Sequence, residues 1–185
     1  MRKVHVFDNV SLDGFFTDAK NDMSWAHKRD EEWNEFASAN AGGQGELLFG
    51  RVTYEMMAAF WPTPQAAQLL PDVAAGMNAM RKIVFSRTLD TVTWQNTTLV
   101  KGDLVTEVTR LKQQPGSDLV ILGSGRIVSQ LTQARLIDEY QIVLNPIVLG
   151  SGRTLFETVE GKVPLRLTRT RAFKNGNVVL WYEPA

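Results

Sequence analysis

The chain has 185 residues, 44% of them hydrophobic, enough for a substantial core in one domain spanning residues 1–185. Lys plus Arg equals Asp plus Glu at 20 each, so the global basic footprint of a nucleic-acid binder is missing, although local arginine clusters could still hold a small anion. With no cysteine, no long apolar h-region and no run approaching a membrane span, disulfides, thiolate metal sites and cysteine nucleophiles are excluded, and a soluble cytoplasmic protein is expected.

Residues 4–10 alternate well enough for a first strand, which ends in the turn sequence Ser11-Leu12-Asp13-Gly14. Phe15, Phe16 and Trp25 follow in a stretch rich in Asp and Asn, read as an irregular loop that packs on a core edge or lines a pocket. Asp30, Glu31 and Glu32 open a helix, acids suiting its N-terminal dipole, with Trp33, Phe36 and Ala37 on one face. The run Leu47-Leu48-Phe49 predicts a buried strand, and Gly50-Arg51 turns it into a helix that Pro62 and Pro64 stop. Residues 65–80 read as a further helix with a break at Pro71, and residues 82–85 as a strand with the polar end Ser86-Arg87-Thr88.

Residues 98–100 suggest a short strand, and Leu104, Val108 and Leu111 a helix ending near Pro115-Gly116. Leu119 to Leu122 is apolar at every position, as expected of a strand covered on both faces. Ile127, Val128, Leu131 and Ala134 then recur at helical spacing, so Gly123, Ser124 and Gly125 form the turn into a helix. Such a turn serves either tight packing or an anion, with no side chain at Gly125 to block close approach. Tyr140, Ile142 and Leu144 mark a long strand interrupted by Pro146, a residue expected at an edge or bulge. Asn175-Gly176 signals a type I′ hairpin between two final strands. Strands alternate with helices until about Leu136 and only strands follow, which predicts an α/β fold: a mainly parallel sheet closed by an antiparallel end.

Several chemistries lack their residues. His5 and His27 are the only histidines, which leaves no ligand set for zinc. Neither Gly123-Ser124-Gly125 nor Gly150-Ser151-Gly152 has nucleophile-elbow spacing, and no glycine turn is followed by the Gly-Lys-Ser/Thr of a phosphate loop. Val128 stands where a dinucleotide fingerprint needs its third glycine. What remains is a nucleotide site assembled from several strand ends.

Three segments, Gly50-Arg51-Val52-Thr53-Tyr54-Glu55, Val84-Phe85-Ser86-Arg87-Thr88-Leu89 and Gly123-Ser124-Gly125-Arg126-Ile127, resemble in that order the cofactor-binding segments of the dihydrofolate reductase-like superfamily. Ser11-Leu12-Asp13-Gly14, Leu136-Ile137-Asp138-Glu139-Tyr140 and Asn145-Pro146-Ile147-Val148-Leu149-Gly150 resemble more closely the reductase half of the bifunctional riboflavin-biosynthesis enzyme (RibD). The resemblance implies a three-layer α/β fold, helices on both faces, and an NADPH-dependent reductase acting on a small pyrimidine, pterin or ribosyl compound. By the same resemblance, Gly123, Ser124, Gly125, Arg126 and Ile127 wrap the cofactor diphosphate, with Gly50, Arg51 and Thr53 on its other side. Arg51, Ser86 and Arg87 would face the adenosine 2′-phosphate, for which arginine supplies planar multi-donor contacts. Counting from Met23-Ser24-Trp25 reaches Asp30 as the proton donor, with Asp13 and Trp25 in the substrate loop; dipole stabilisation and turn formation are the competing readings of Asp30 and Asp13. A true dihydrofolate reductase and a non-catalytic NADPH sensor stay open as alternatives. The Pro146 strand and the terminal hairpin offer apolar edges that suggest a homodimer.

Overall fold

A computed structural model describes residues 1–26, 30–41 and 45–185. Its sheet carries eight strands, taken here in chain order: β1 (Val4–Ser11), β3 (Glu46–Gly50), β4 (Lys82–Phe85), β5 (Thr97–Val100), β6 (Leu119–Leu122), β7 (Glu139–Asn145), β9 (Leu165–Ala172) and β10 (Val178–Pro184). Their spatial order is β5-β4-β3-β6-β1-β7-β10-β9. The first six run parallel, and β10 and β9 are antiparallel additions. A separate two-stranded ribbon pairs β2 (Phe15–Asp18) with β8 (Gly152–Thr154).

Six helices cover the faces: α1 (Glu31–Ala41), α2 (Arg51–Phe60), α3 (Pro64–Leu69), α4 (Pro71–Ala79), α5 (Leu104–Gln113) and α6 (Gly125–Gln133). Strand alternation sorts the core into two sides. Val4, Val6, Leu48, Leu119 and Ile121 pack with Leu104 and Val108 of α5 and Ile127, Val128 and Leu131 of α6. On the other side, Leu47, Phe49 and Val84 pack with Tyr54, Met77 and Trp94, while Val143, Val179 and Trp181 pack with Trp33 of α1. The dry runs at 47–49 and 119–122 are therefore strands covered on both faces, as their composition demands.

Three expectations change, and a fourth, the break at Pro71, holds. Residues 15–18 form the ribbon strand β2 instead of loop, and Phe16 is buried in the α5–α6 side of the core. Pro146 lies just past β7, which runs between β1 and β10, so the proline ends an interior strand and the sheet edge on that side is β9. In the last hairpin only Gly176 has positive φ (+92°), and Gly176 N–H donates to Phe173 O; this is a three-residue loop with glycine in the left-handed position, where a type I′ turn needs two such residues. Pro71 separates two distinct helices, its ring occupying the first turn of α4, where the missing N–H costs nothing. Among the described residues, no helix is long and apolar enough to cross a membrane.

Candidate functional site

The three resembling segments converge. Gly50 pairs with Phe85 in the β3–β4 register, which sets Arg51 beside Ser86, and β3 also pairs with β6. The carboxyl ends of three neighbouring parallel strands thus carry Gly50-Arg51, Ser86-Arg87 and Gly123-Ser124. In open α/β sheets ligands sit outside those ends, where successive connections leave in opposite directions.

One contact ties two of the turns together. Gly123 and Ser124 both adopt left-handed backbone (φ +60° and +64°), which swings the Ser124 hydroxyl across to accept from Gly50 N–H at 2.9 Å. Thr53 is buried on the first turn of α2, and a Cβ on Gly123 would lie 3.4 Å from its methyl. The N–H groups of Gly125 and Arg126, at the start of α6, have no acceptor within the helix and are free for an anion. Arg126 is exposed and has no ion-pair partner among the described residues.

Two of the expected contacts are made differently. The space beside Gly125 is taken by Phe16: a Cβ there would stand 2.7 Å from the ring. Its missing side chain thus admits an aromatic ring from the ribbon, which explains this glycine by packing. Ile127 is likewise a core residue, buried with its side chain against Gly50. Their backbones stay at the helix start; their side-chain faces look inward.

The arginines already have acidic company. Arg51 Nη1 donates to Glu55 Oε2 at 2.9 Å one turn along α2. Arg87 lies in the field of Asp103, the N-cap of α5, whose carboxyl is held below its ordinary value by the Thr106 N–H and hydroxyl, with Arg87 adding to the effect. Ser86 uses its hydroxyl to accept from Thr88 N–H and Leu89 N–H, closing the turn that presents Arg87.

The expected proton donor also serves as a helix cap. Asp30 Oδ1 accepts from Trp33 N–H at 2.7 Å, so this carboxylate caps α1. Asp13 is a staple between two loops: it accepts from Ser11 Oγ at 2.6 Å, Leu149 N–H at 3.1 Å and Gly150 N–H at 2.7 Å. Those bonds, the serine's foremost, depress its carboxyl to about 2. Two of the three segments that resemble the riboflavin reductase, Ser11 to Gly14 and Asn145 to Gly150, are therefore held together by one side chain. Trp25 sits in a 3-10 turn, half-buried, with Nε1 donating to Asp22 O.

Sequence reading passed over Asp8. It shares the parity of Val4 and Val6 on β1, is 2% exposed, and has an Oδ2 with no partner among the described residues. Burial pushes its carboxyl up to about 7, partly offset by the Asn9 N–H. An acid on the apolar parity of a strand was the available signal. Two buried amides are also under-satisfied: Asn145 Oδ1, and both side-chain atoms of Asn177. Among the described residues, no group of three or more metal-ligating side chains gathers.

A mainly parallel sheet with helices on both faces and an antiparallel C-terminal hairpin is the fold of dihydrofolate reductase-like reductases. The chain belongs to the RibD C-terminal domain family, whose profile matches residues 2–179. It is similar to YyaP, an uncharacterised protein of Bacillus subtilis (strain 168), at 26% identity over 175 residues, 94% of this chain and 90% of that one. A crystal structure from Shewanella sp. PV-4, provisionally assigned to riboflavin biosynthesis, superposes with a TM-score of 0.75 at 23% identity, covering 99% of each chain. The diaminohydroxyphosphoribosylaminopyrimidine deaminase/5-amino-6-(5-phosphoribosylamino)uracil reductase of Thermotoga maritima gives 0.67 at 13% identity, covering 100% of this chain and 57% of that one.

Proposed function

We propose that this protein is an NADPH-dependent reductase that transfers a hydride to a small pyrimidine, pterin or ribosyl substrate, in the manner of a 5-amino-6-(5-phosphoribosylamino)uracil reductase. The observation that carries this reading is the Ser124 to Gly50 bond, which clamps two glycine turns side by side at the ends of neighbouring parallel strands. Within Gly123 to Ile127, the N–H groups of Gly125 and Arg126 would hold the diphosphate while Gly123, Ser124 and Ile127 shape the turn, with Gly50, Arg51 and Thr53 opposite. Arg51, Ser86 and Arg87 would meet the 2′-phosphate, Ser86 by shaping the turn. When bound, the reduced nicotinamide supplies the hydride; the chain's part is to position it and manage the proton.

Thermal protection tests the reading. NADPH should raise the melting temperature and NADH should do so far less. Each charge-assisted phosphate contact is worth roughly 1.5 to 3 kcal/mol, about 10- to 150-fold in affinity. Because Glu55 and Asp103 already accompany the arginines, Arg51→Ala and Arg87→Ala should each weaken NADPH toward the lower end, about 10-fold, and leave NADH nearly unchanged. Absence of protection by either cofactor would remove the reading. The capped Asp30 favours one rival, a nucleotide-binding sensor that binds NADPH without turning over dihydrofolate or the ribosylaminopyrimidine. We also infer a cytoplasmic homodimer, with the exposed β9 edge as the surface to be covered; a monomer by light scattering would refute the dimer.

A further inference from the structure

We propose that Asp8 is the proton donor of this site: its buried Oδ2 has no partner among the described residues and stands at the carboxyl end of β1, beside the Gly123 turn into α6. The assignment rests on the reductase reading above.

Position makes the case first. Phe7 pairs with Leu122, so Asp8, the next residue, lies alongside the Gly123 turn; on its other flank it pairs with Ile142 of β7. Val4 and Val6, four and two residues earlier, face α5 and α6, which puts the Asp8 side chain on the α6 side of the sheet at the strand's carboxyl end. The chain crosses to one side of β1 for β3 to β6 and to the other for β7, so β1 ends at the topological switch point, where open α/β sheets bind their ligands.

Chemistry makes it second. A buried carboxyl oxygen with no partner is costly, and such groups in folded proteins mark a bound water or ion, stored strain or a catalytic role. The ribbon packed on β1 adds another: Thr17 is 6% exposed and its Oγ1 also lacks a partner. The titratable residues on β1 and the surrounding elements are His5 on β1, Asp18 on β2, Glu107, Arg110 and Lys112 on α5, Arg126 on α6, Arg153 on β8 and Glu139 and Tyr140 on β7. None of them enters the balance that sets the Asp8 carboxyl, which is burial against the single Asn9 N–H. An acid raised by burial to about 7 is roughly half protonated at neutral pH, so a good share of the molecules hold the proton a donor needs.

The step balances. Hydride leaves the reduced nicotinamide with the C–H bonding pair and forms a C–H bond at the substrate's C=O or C=N carbon. The π pair moves to the heteroatom, which takes the proton from Asp8 Oδ2. Oxidised nicotinamide and an Asp8 carboxylate remain, and solvent reprotonates the latter.

The test uses the whole chain labelled with carbon-13 at aspartate, the Asp8 carboxyl resonance being the one that Asp8→Asn removes. It should titrate near neutral pH and move on saturation with NADPH. With NADPH and whichever of dihydrofolate or the ribosylaminopyrimidine is turned over, Asp8→Asn should lower kcat on the order of 100-fold or more. It should leave the NADPH dissociation constant within about threefold and abolish the fall in rate as pH rises through the Asp8 value. A resonance that titrates but ignores saturating NADPH overturns the assignment alone, as does an unchanged kcat. NADPH binding to neither protein overturns the reductase reading, and this one with it. If neither substrate turns over, the resonance shift decides.

Discussion

The two ends of the parallel sheet are built on opposite terms. At the amino end, charges are buried in company: Arg2 Nη2 lies 3.1 Å from Glu46 Oε2, Arg81 reaches Glu46 Oε1 at 3.3 Å, and Lys112 pairs with Asp138, which also accepts from Val4 N–H. His5 bridges Glu139 and Asp118. At the carboxyl end, Asp8, Asn145 and Asn177 hold polar atoms with no partner among the described residues, and Ser124 sits in a strained backbone region. Arg2 shows the difference in kind: its Nη2 is off hydrogen-bond alignment, yet a carboxylate lies against it. One end spends its polar groups on holding strands together; the other keeps them unspent, as expected where a ligand completes the structure.

Breaking the amino end should cost most. Glu46→Ala would leave Arg2, 6% exposed, without its counter-charge, and removing one partner of a buried pair costs about 3 to 5 kcal/mol. A urea midpoint should fall accordingly, while NADPH protection of the folded fraction persists. Loss of NADPH binding in the folded protein would show that the ends are not independent.

The carboxyl end should respond with the opposite sign. Below pH about 4 folded and unfolded Asp8 both hold a proton, so no penalty exists. As pH rises, only the folded state keeps it, so stability declines until the carboxyl ionises at about 7, and above that the full penalty stands. A rise from 3.8 to about 7 corresponds to roughly 4 kcal/mol; an orphaned amide in its place costs about 1 to 3. Asp8→Asn should therefore stabilise the protein by about 1 to 3 kcal/mol at pH 8 and lose that advantage near pH 4, read from urea midpoints at the two pH values. A gain independent of pH would show that the carboxyl is not raised by burial.

Legibility follows from range along the chain. Period-2 and period-3.6 patterns and glycine punctuation are local, so the strands at 47–49 and 119–122, the helix starts at Arg51 and Gly125 and the convergence of three segments could all be read. The ribbon could not, because β2 is made a strand by β8, more than 130 residues away. The role of Gly125 was hidden for the same reason: Phe16 reaches it through the fold. Asp30 was visible as an acid at a helix start, and its capping bond is what that position favours. Asp8 was visible as well, an acid in step with Val4, Val6 and Val10, but alternation tells only that it is buried; the missing partner is a property of three dimensions.

Ser124 offers the smallest and sharpest test. A non-glycine residue in left-handed backbone carries about 1 kcal/mol of strain, and its hydroxyl returns a bond of about the same worth from Gly50 N–H. Ser124→Gly should then be nearly neutral, losing the bond and the strain together. Ser124→Ala keeps the strain and loses the bond, so it should cost about 1 to 2 kcal/mol. Stability alone cannot say what the clamp is for, because a packing turn would give the same pair of values. Affinity can. If the clamp exists to present the turn to a diphosphate, both variants should weaken NADPH severalfold, including the glycine variant whose stability is intact. A glycine variant that binds NADPH as tightly as the parent would make the clamp a packing device, and the carboxyl end would lose the residue that joins its two halves.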